Sequence, residues 1–312
     1  MPKIAFLFPG QGSQYIGMCQ DLEKNYKIVK QVFETANETL GQDLKRLCFE
    51  GPEEDLKKTV NTQPALVTAS VACLQVLKAE GISPQFVAGH SLGEYSALVA
   101  AGCISFADTV NLVRCRGELM ENAFPQGQGG MAAIIGLKAQ DVEEVCRNAS
   151  AYGLVQPANY NAPGQTVISG EKEAIKQALI LAQTAGAKKT VELAVSGPFH
   201  SELMGGAAVK FAEVLKKVTI KDPQIPIVAN TNAQLLSGSE EILTALVKQL
   251  SAPVRWVETI EKLHSCGVDT FVEVGAGKVL SGLVKKIVSG VTITNVQDMD
   301  SLQKTLSLLK GA

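Results

Sequence analysis

The chain has 312 residues, of which 46% are hydrophobic and 19% charged, so it can bury a sizeable core and does not read as disordered. A formal net charge of −2 excludes the strongly basic balance of a nucleic-acid-binding chain. The seven cysteines, at 19, 48, 73, 103, 115, 146 and 266, form no Cys-x-x-Cys pair and no Cys/His cluster of zinc spacing. Free thiols, a cytoplasmic setting and no metal are therefore expected.

In chain order, Lys3–Phe8 reads as a buried first strand, too short for the apolar core of a signal peptide. No uninterrupted apolar stretch reaches bilayer-spanning length. The turn-rich segment Pro9–Gly17 follows, then an apolar helix around Ala65–Ala79 closed by Gly81. Phe86–Ala88 predicts a short strand, Glu94–Ala101 a small-residue helix ended by Gly102, and Ser105–Ala123 another helix. Strands alternating with helices argue for an α/β protein with a parallel sheet.

The pattern changes at the flexible joint Gln126–Gly130. Strands are predicted at Met131–Ile135, Leu154–Asn159, Thr166–Ser169 and Lys188–Leu193, with a turn at Asn161-Ala-Pro-Gly164. Val142, Val145, Cys146 and Ala149 share one helix face, and Ile175, Ala178, Leu179 and Ala182 share another. The order β-α-β-β-α-β is the ferredoxin-like split pattern. Residues 126–196 are thus expected to form a small inserted domain, with residues 1–125 and 197–312 forming a discontinuous large one.

Chemistry concentrates at Ala88-Gly-His-Ser-Leu-Gly-Glu94. Gly89-x-Ser91-x-Gly93 between a strand and a helix is the nucleophile-elbow pattern. The sharp turn strains Ser91 and leaves no room for a Cβ at either flank. A serine nucleophile needs a base, and the chain has three histidines. His90 adjoins the nucleophile and suits a supporting role. His264 lies in a helix-like segment. His200, in the turn-rich Ser196-Gly-Pro-Phe-His-Ser201 at the exit of the inserted domain, is the best candidate. No carboxylate stands out as its partner, so a backbone carbonyl is an alternative way to fix its tautomer.

Pro9-Gly-Gln-Gly-Ser-Gln14 lacks the third glycine of a dinucleotide fingerprint, because Tyr15 stands there, and it lacks the Gly-Lys-Ser/Thr of a P-loop. It suits an oxyanion hole built from the backbone N–H groups of Gln11 and Leu92, or else a plain tight turn. Arg114 and Arg116 share the next helix; either a solvated face or a clamp for a substrate carboxylate fits their spacing.

Taken together, Gly10-Gln-Gly-Ser-Gln14, Gly89-His-Ser-Leu-Gly-Glu-Tyr-Ser96, Arg116-Gly117, Asn159-x-Asn161-x-Pro-Gly164, His200 and Glu273-Val-Gly275 resemble the malonyl-CoA:acyl carrier protein transacylase family across nearly the whole chain. The resemblance implies an α/β-hydrolase-like large domain with the ferredoxin-like insertion. It implies malonyl transfer by Ser91 and His200 in ping-pong fashion, an oxyanion hole at Gln11 and Leu92, and Arg116 on the malonyl carboxylate. It also implies the Gln249 carbonyl as the group that orients His200. Expected partners are malonyl-CoA and an acidic acyl carrier protein that brings its own phosphopantetheine. No cofactor, nucleic acid or membrane is expected, and the protein should be a monomer serving fatty-acid synthesis.

Phe199 is a pocket candidate that would crowd a branched methylmalonyl group, and Ala276 stands where the family often has proline. Lys188-Lys189 and Lys285-Lys286 are docking candidates for an acidic partner, or simply solvated pairs. A serine hydrolase, a non-catalytic acyl-binding module and a polyketide-pathway acyltransferase are the rival readings.

Overall fold

The computed structural model describes residues 2–311. The ten strands are β1 (Ile4–Phe8), β2 (Phe86–Gly89), β3 (Gly129–Ile135), β4 (Val155–Ala162), β5 (Gln165–Glu171), β6 (Lys189–Glu192), β7 (Ile227–Val228), β8 (Leu235–Leu236), β9 (Thr270–Val274) and β10 (Thr292–Val296). They form two sheets, of order β10-β9-β1-β2-β7-β8 and β4-β5-β3-β6. The first is parallel from β10 to β7, with β8 antiparallel at its edge. The second is antiparallel throughout. The α/β class with a parallel sheet is as the sequence suggests.

Every residue of β1, β2 and β9 is buried, as befits parallel strands covered on both faces. Their side chains alternate between two cores. Phe6, Phe8 and Val272 point into the larger one, while Ala5, Leu7 and Phe271 point into one built around Trp256 and Ile260. The smaller sheet behaves likewise. Ala132, Ile134 and Ile168 pack against its two helices, Ala139–Ala149 and Lys172–Thr184, whereas Met131, Ala133 and Val167 join the larger core. The chain order there is β-α-β-β-α-β, as the periodicity predicts.

Four details differ from the sequence reading. Asn161 lies within β4, and the turn shrinks to Pro163-Gly164, because the ladder with β5 runs on to Ala162↔Gln165. The helix expected around Ala65–Ala79 begins at Thr59 and carries Pro64 inside it. That helix does have the length and apolar composition of a membrane-spanning segment, contrary to expectation, but 83% of its apolar window is buried by the surrounding chain. The two-residue strands β7 and β8 had no readable pattern.

The pairing Phe8↔Gly89 sets the carboxyl ends of β1 and β2 side by side, so the loops after them share one rim of the sheet. The small sheet is stitched to that rim through Val254, whose carbonyl accepts from the Tyr160 N–H at 2.9 Å and whose N–H donates to the Ala158 carbonyl at 2.8 Å. Glu273 is a structural residue: its carboxylate accepts from the N–H groups of Leu280 and Ser281 at the start of the helix Val279–Ile287.

Candidate active site

The elbow forms because its glycines are packed to contact. A Cβ on Gly89 would lie 1.9 Å from the Gly93 carbonyl carbon, and one on Gly93 would lie 2.0 Å from the Phe8 carbonyl oxygen. Between them Ser91 takes φ 50°, a left-handed conformation costing on the order of 1–3 kcal/mol. Asn230 holds it there. The Asn230 Oδ1 accepts from the Ser91 N–H at 2.7 Å, and the Asn230 Nδ2 donates to the Gly89 carbonyl at 2.7 Å.

His200 also sits at positive φ, 58°, with its N–H donating to the Leu250 carbonyl at 3.2 Å. Its Nδ1 lies 2.8 Å from the Gln249 carbonyl oxygen. A carbonyl only accepts, so Nδ1 carries the proton and Nε2 presents its lone pair. The Ser91 hydroxyl donates to that Nε2 at 2.6 Å. Burial, and then the Arg116 guanidinium, push the imidazole pKa down to about 3, against the pull of the Gln249 carbonyl. His200 is therefore a neutral acceptor at neutral pH, as a general base requires.

Arg116 projects from the helix Phe106–Glu121 and is 1% exposed. Its Nη1 donates to Gln63 Oε1 at 3.0 Å, and its Nη2 to Gln249 Oε1 at 2.9 Å and Ser91 Oγ at 3.4 Å. Its Nε has no partner among the described residues, and the guanidinium lies 5.3 Å from the Tyr95 ring centroid. All the acceptors are neutral, and the acidic group that acts on this buried cation, Glu94, is separated from it by the Gln249 amide. Arg114 faces elsewhere: it bonds Asn61, the Val60 carbonyl and Glu118, and does not line the cleft. Of the two arginines, Arg116 lines the cleft with Ser91 and His200, and Arg114 does not.

Ser91, His200 and Arg116 share a cleft of about 500 Å3 with Gln11, Leu92 and Phe199. The N–H groups of Gln11 and Leu92 donate to no described residue, leaving both free for a ligand oxygen. Phe199 is buried beside His200. His90 lines the cleft, but its ring is spoken for: Nε2 is 2.8 Å from Asn161 Oδ1, and Trp256 packs against it edge-on. His264 is bonded to the Val268 carbonyl and lies outside the cleft. Neither lysine pair lines the cleft; Lys57 does, paired with Glu53 at 2.7 Å.

Four contributors escape the sequence reading: Gln63, Asn230, the Gln249 side chain and Glu94. All are fully buried or nearly so. Glu94 closes the elbow motif and was visible there, although nothing in the spacing gave it a task. Burial lifts its pKa to about 7.

A half-buried serine bonded to a buried histidine, with free backbone donors and a buried guanidinium beside them, gives the cleft of an acyl-transferring enzyme. The chain matches the acyl transferase domain family over residues 5–304, and it belongs to that family and, within it, to the malonyl CoA-acyl carrier protein transacylases. The transacylase of that name from Bacillus subtilis is 50% identical over 311 residues, covering 99% of this chain and 98% of its own. The one from Escherichia coli strain K12 is 46% identical over 309 residues, 99% of this chain and 100% of its own. Among solved structures, an acyl carrier protein S-malonyltransferase from Vibrio cholerae superposes with TM-score 0.95 at 46% identity, covering 97% of this chain and 99% of that one. A malonyl-transacylase solved in complex with a type II PKS acyl-carrier protein superposes with TM-score 0.96 at 45% identity, covering 99% and 100%.

Proposed function

We propose that this acyltransferase moves malonyl groups from malonyl-CoA to the phosphopantetheine thiol of an acyl carrier protein through a malonyl-Ser91 intermediate. The observation that carries the reading is the Ser91 Oγ–His200 Nε2 bond of 2.6 Å, with Arg116 Nη2 3.4 Å from the same oxygen. His200 takes the Ser91 proton as Oγ attacks the thioester carbonyl. The N–H groups of Gln11 and Leu92 hold the oxyanion. When the C–S bond breaks, His200 returns its proton to the coenzyme A thiolate. The carrier thiol then gives its proton to His200 and attacks the ester, and that proton passes back to Ser91 as the thioester leaves. The Gln249 carbonyl keeps the imidazole in the working tautomer throughout.

Arg116 binds the malonyl carboxylate. An acetyl group would leave that buried cation unmatched, a penalty of roughly 1–3 kcal/mol or more. Phe199 narrows the cleft against a branched acyl group. The chemistry calls for no metal or redox cofactor.

The fold assignment that fits best is an α/β-hydrolase-like domain, 1–125 and 197–312, with a ferredoxin-like insertion at 126–196; the strand order β4-β5-β3-β6 supports the insertion. A cytoplasmic monomer serving fatty-acid synthesis is our reading of its setting. The direct test is intact-protein mass after mixing with malonyl-CoA or acetyl-CoA. Native chain should gain a malonyl adduct that Ser91→Ala lacks, and Arg116→Ala should shift the preference toward acetyl. No adduct and no release of coenzyme A would overturn the reading.

A further inference from the structure

Glu94 lies on the first turn of the helix after the elbow and is 1% exposed. Its two carboxylate oxygens are spent on different neighbours. Oε1 accepts from the Asn230 N–H at 3.2 Å, and Oε2 accepts a short bond from the Gln249 Nε2. Each neighbour touches the nucleophile or its cation. Asn230 grips the Ser91 N–H. The Gln249 Nε2 also donates to the Ser91 carbonyl at 3.0 Å, while its Oε1 accepts from Arg116 Nη2 at 2.9 Å.

The Gln249 amide is thus fixed one way round by all its partners. Its NH2 faces two acceptors, Glu94 and the Ser91 carbonyl, and its oxygen faces a guanidinium donor. Only a group at position 94 that accepts on both oxygens serves both Asn230 and Gln249.

We propose that Glu94 is a positioning residue that sets the orientation of the Gln249 amide and, through it, aims Arg116 at the acyl group's carboxylate. The inference rests on the transfer reading above. Among the described residues, Arg116 is the only basic side chain that acts on Glu94, and Tyr95 and His200 are the titratable groups beside Arg116.

Replacing Glu94 by glutamine leaves one acceptor for two donors. The Asn230 donor is backbone and cannot turn away, so the amide oxygen stays with it. The new NH2 then confronts the Gln249 NH2. Gln249 relieves the clash by rotating its amide, which presents NH2 to the Arg116 Nη2, and the two donors repel. Arg116 moves off aim. A substrate that carries a carboxylate feels this, and one that lacks it does not.

The test measures the rate of Ser91 acylation by malonyl-CoA and by acetyl-CoA, with quenching and intact mass, in wild type, Glu94→Gln, Gln249→Met and the double variant Glu94→Gln/Gln249→Met. Glu94→Gln should slow malonyl acylation about tenfold or more and lower the malonyl-to-acetyl rate ratio with it. If Glu94 acts through the Gln249 amide, Gln249→Met should lower the ratio as far as Glu94→Gln does, and the double variant should fall no further, because the amide that transmits the effect is gone. Unchanged rates in Glu94→Gln, or malonyl and acetyl rates that fall by the same factor, would overturn the inference. If Glu94→Gln does not fold, Gln249→Met decides alone: a lowered malonyl-to-acetyl ratio supports the aim through Gln249, and a wild-type ratio refutes it. A wild type that forms no malonyl adduct in the same assay would instead sink the transfer reading.

Discussion

Two short segments of this chain hold residues in the same strained backbone conformation by opposite means. Ser91, at φ 50°, is bent by its own neighbours: Gly89 and Gly93 touch backbone so closely that no Cβ fits. His200, at φ 58°, has no such local enforcement. It is held from a distance, by the Leu250 carbonyl on its N–H and the Gln249 carbonyl on its ring. The elbow is therefore written mainly in seven consecutive residues, with Asn230 and Phe8 closing on it from elsewhere, whereas the histidine's geometry is written some fifty residues downstream. A reactive pair assembled this way should respond differently to substitution on its two sides.

The largest effect tests the pair itself. His200→Ala should lower the acylation rate by on the order of 10³-fold or more while leaving Ser91 and its elbow intact. Ser91→Ala should abolish the adduct. The double variant should behave as Ser91→Ala does, with no adduct in the intact mass, since the two act as one unit.

On the elbow side, Gly93→Ala places a methyl 2.0 Å from the Phe8 carbonyl oxygen, against backbone of Phe8 and Pro9 rather than a side chain that could yield. Destabilisation above about 3 kcal/mol is expected in urea unfolding, with loss of activity following loss of fold. Gly205→Ala, where a Cβ meets nothing within 4 Å, is the matched control and should stay within about 1 kcal/mol of wild type or gain helix stability.

The histidine side should instead show in the pH dependence of stability. Burial lowers the His200 pKa to about 3, below its unfolded value near 6.5. Between those values the unfolded chain binds the extra proton, so stability falls as pH drops below about 6.5. Glu94 acts with the opposite sign. Its folded pKa of about 7 lies above its unfolded value, so it contributes most below about pH 4.5 and that contribution is lost as pH rises through 7. Replacing His200 by Ala should therefore reduce the stability lost between pH 7 and 5 by on the order of 1–2 kcal/mol. An unfolding series at the two pH values, wild type against variant, measures it; an unchanged difference would mean that the imidazole is not held neutral.

The same contrast explains how much of the molecule was legible in the sequence. The elbow, the oxyanion candidates and the β-α-β-β-α-β order were readable because each is a local pattern, a strand–turn–helix or a period. Gln63, Asn230 and the Gln249 side chain were not, because they reach the site from 53, 139 and 158 residues away and their amides carry no spacing signal. Asn161 was misplaced in a turn for the converse reason. Its neighbours Pro163-Gly164 have turn composition, and only the β5 pairing of Tyr160 and Ala162 on either side of it, with its own bond to His90, keeps it in the strand.

The smallest predicted effect sharpens the line between local and assembled features on a single helix. Arg114 and Arg116 stand two residues apart, so they point to different sides of it. Arg114 is partly exposed, with acceptors at Asn61, the Val60 carbonyl and Glu118. Its ion pair with Glu118 is open to solvent and worth little. Arg114→Ala should cost under about 1 kcal/mol of stability and leave the malonyl-to-acetyl ratio at its wild-type value. Arg116→Ala should invert that ratio at similar cost in fold, because the amides of Gln63 and Gln249 that it leaves behind are neutral and the cleft can admit water to them. Measured together, the two variants separate a cation that serves the helix surface from one that serves the substrate. A change in selectivity on removing Arg114 would mean that the carboxylate is read by the electrostatic field of the whole helix rather than by one aimed guanidinium.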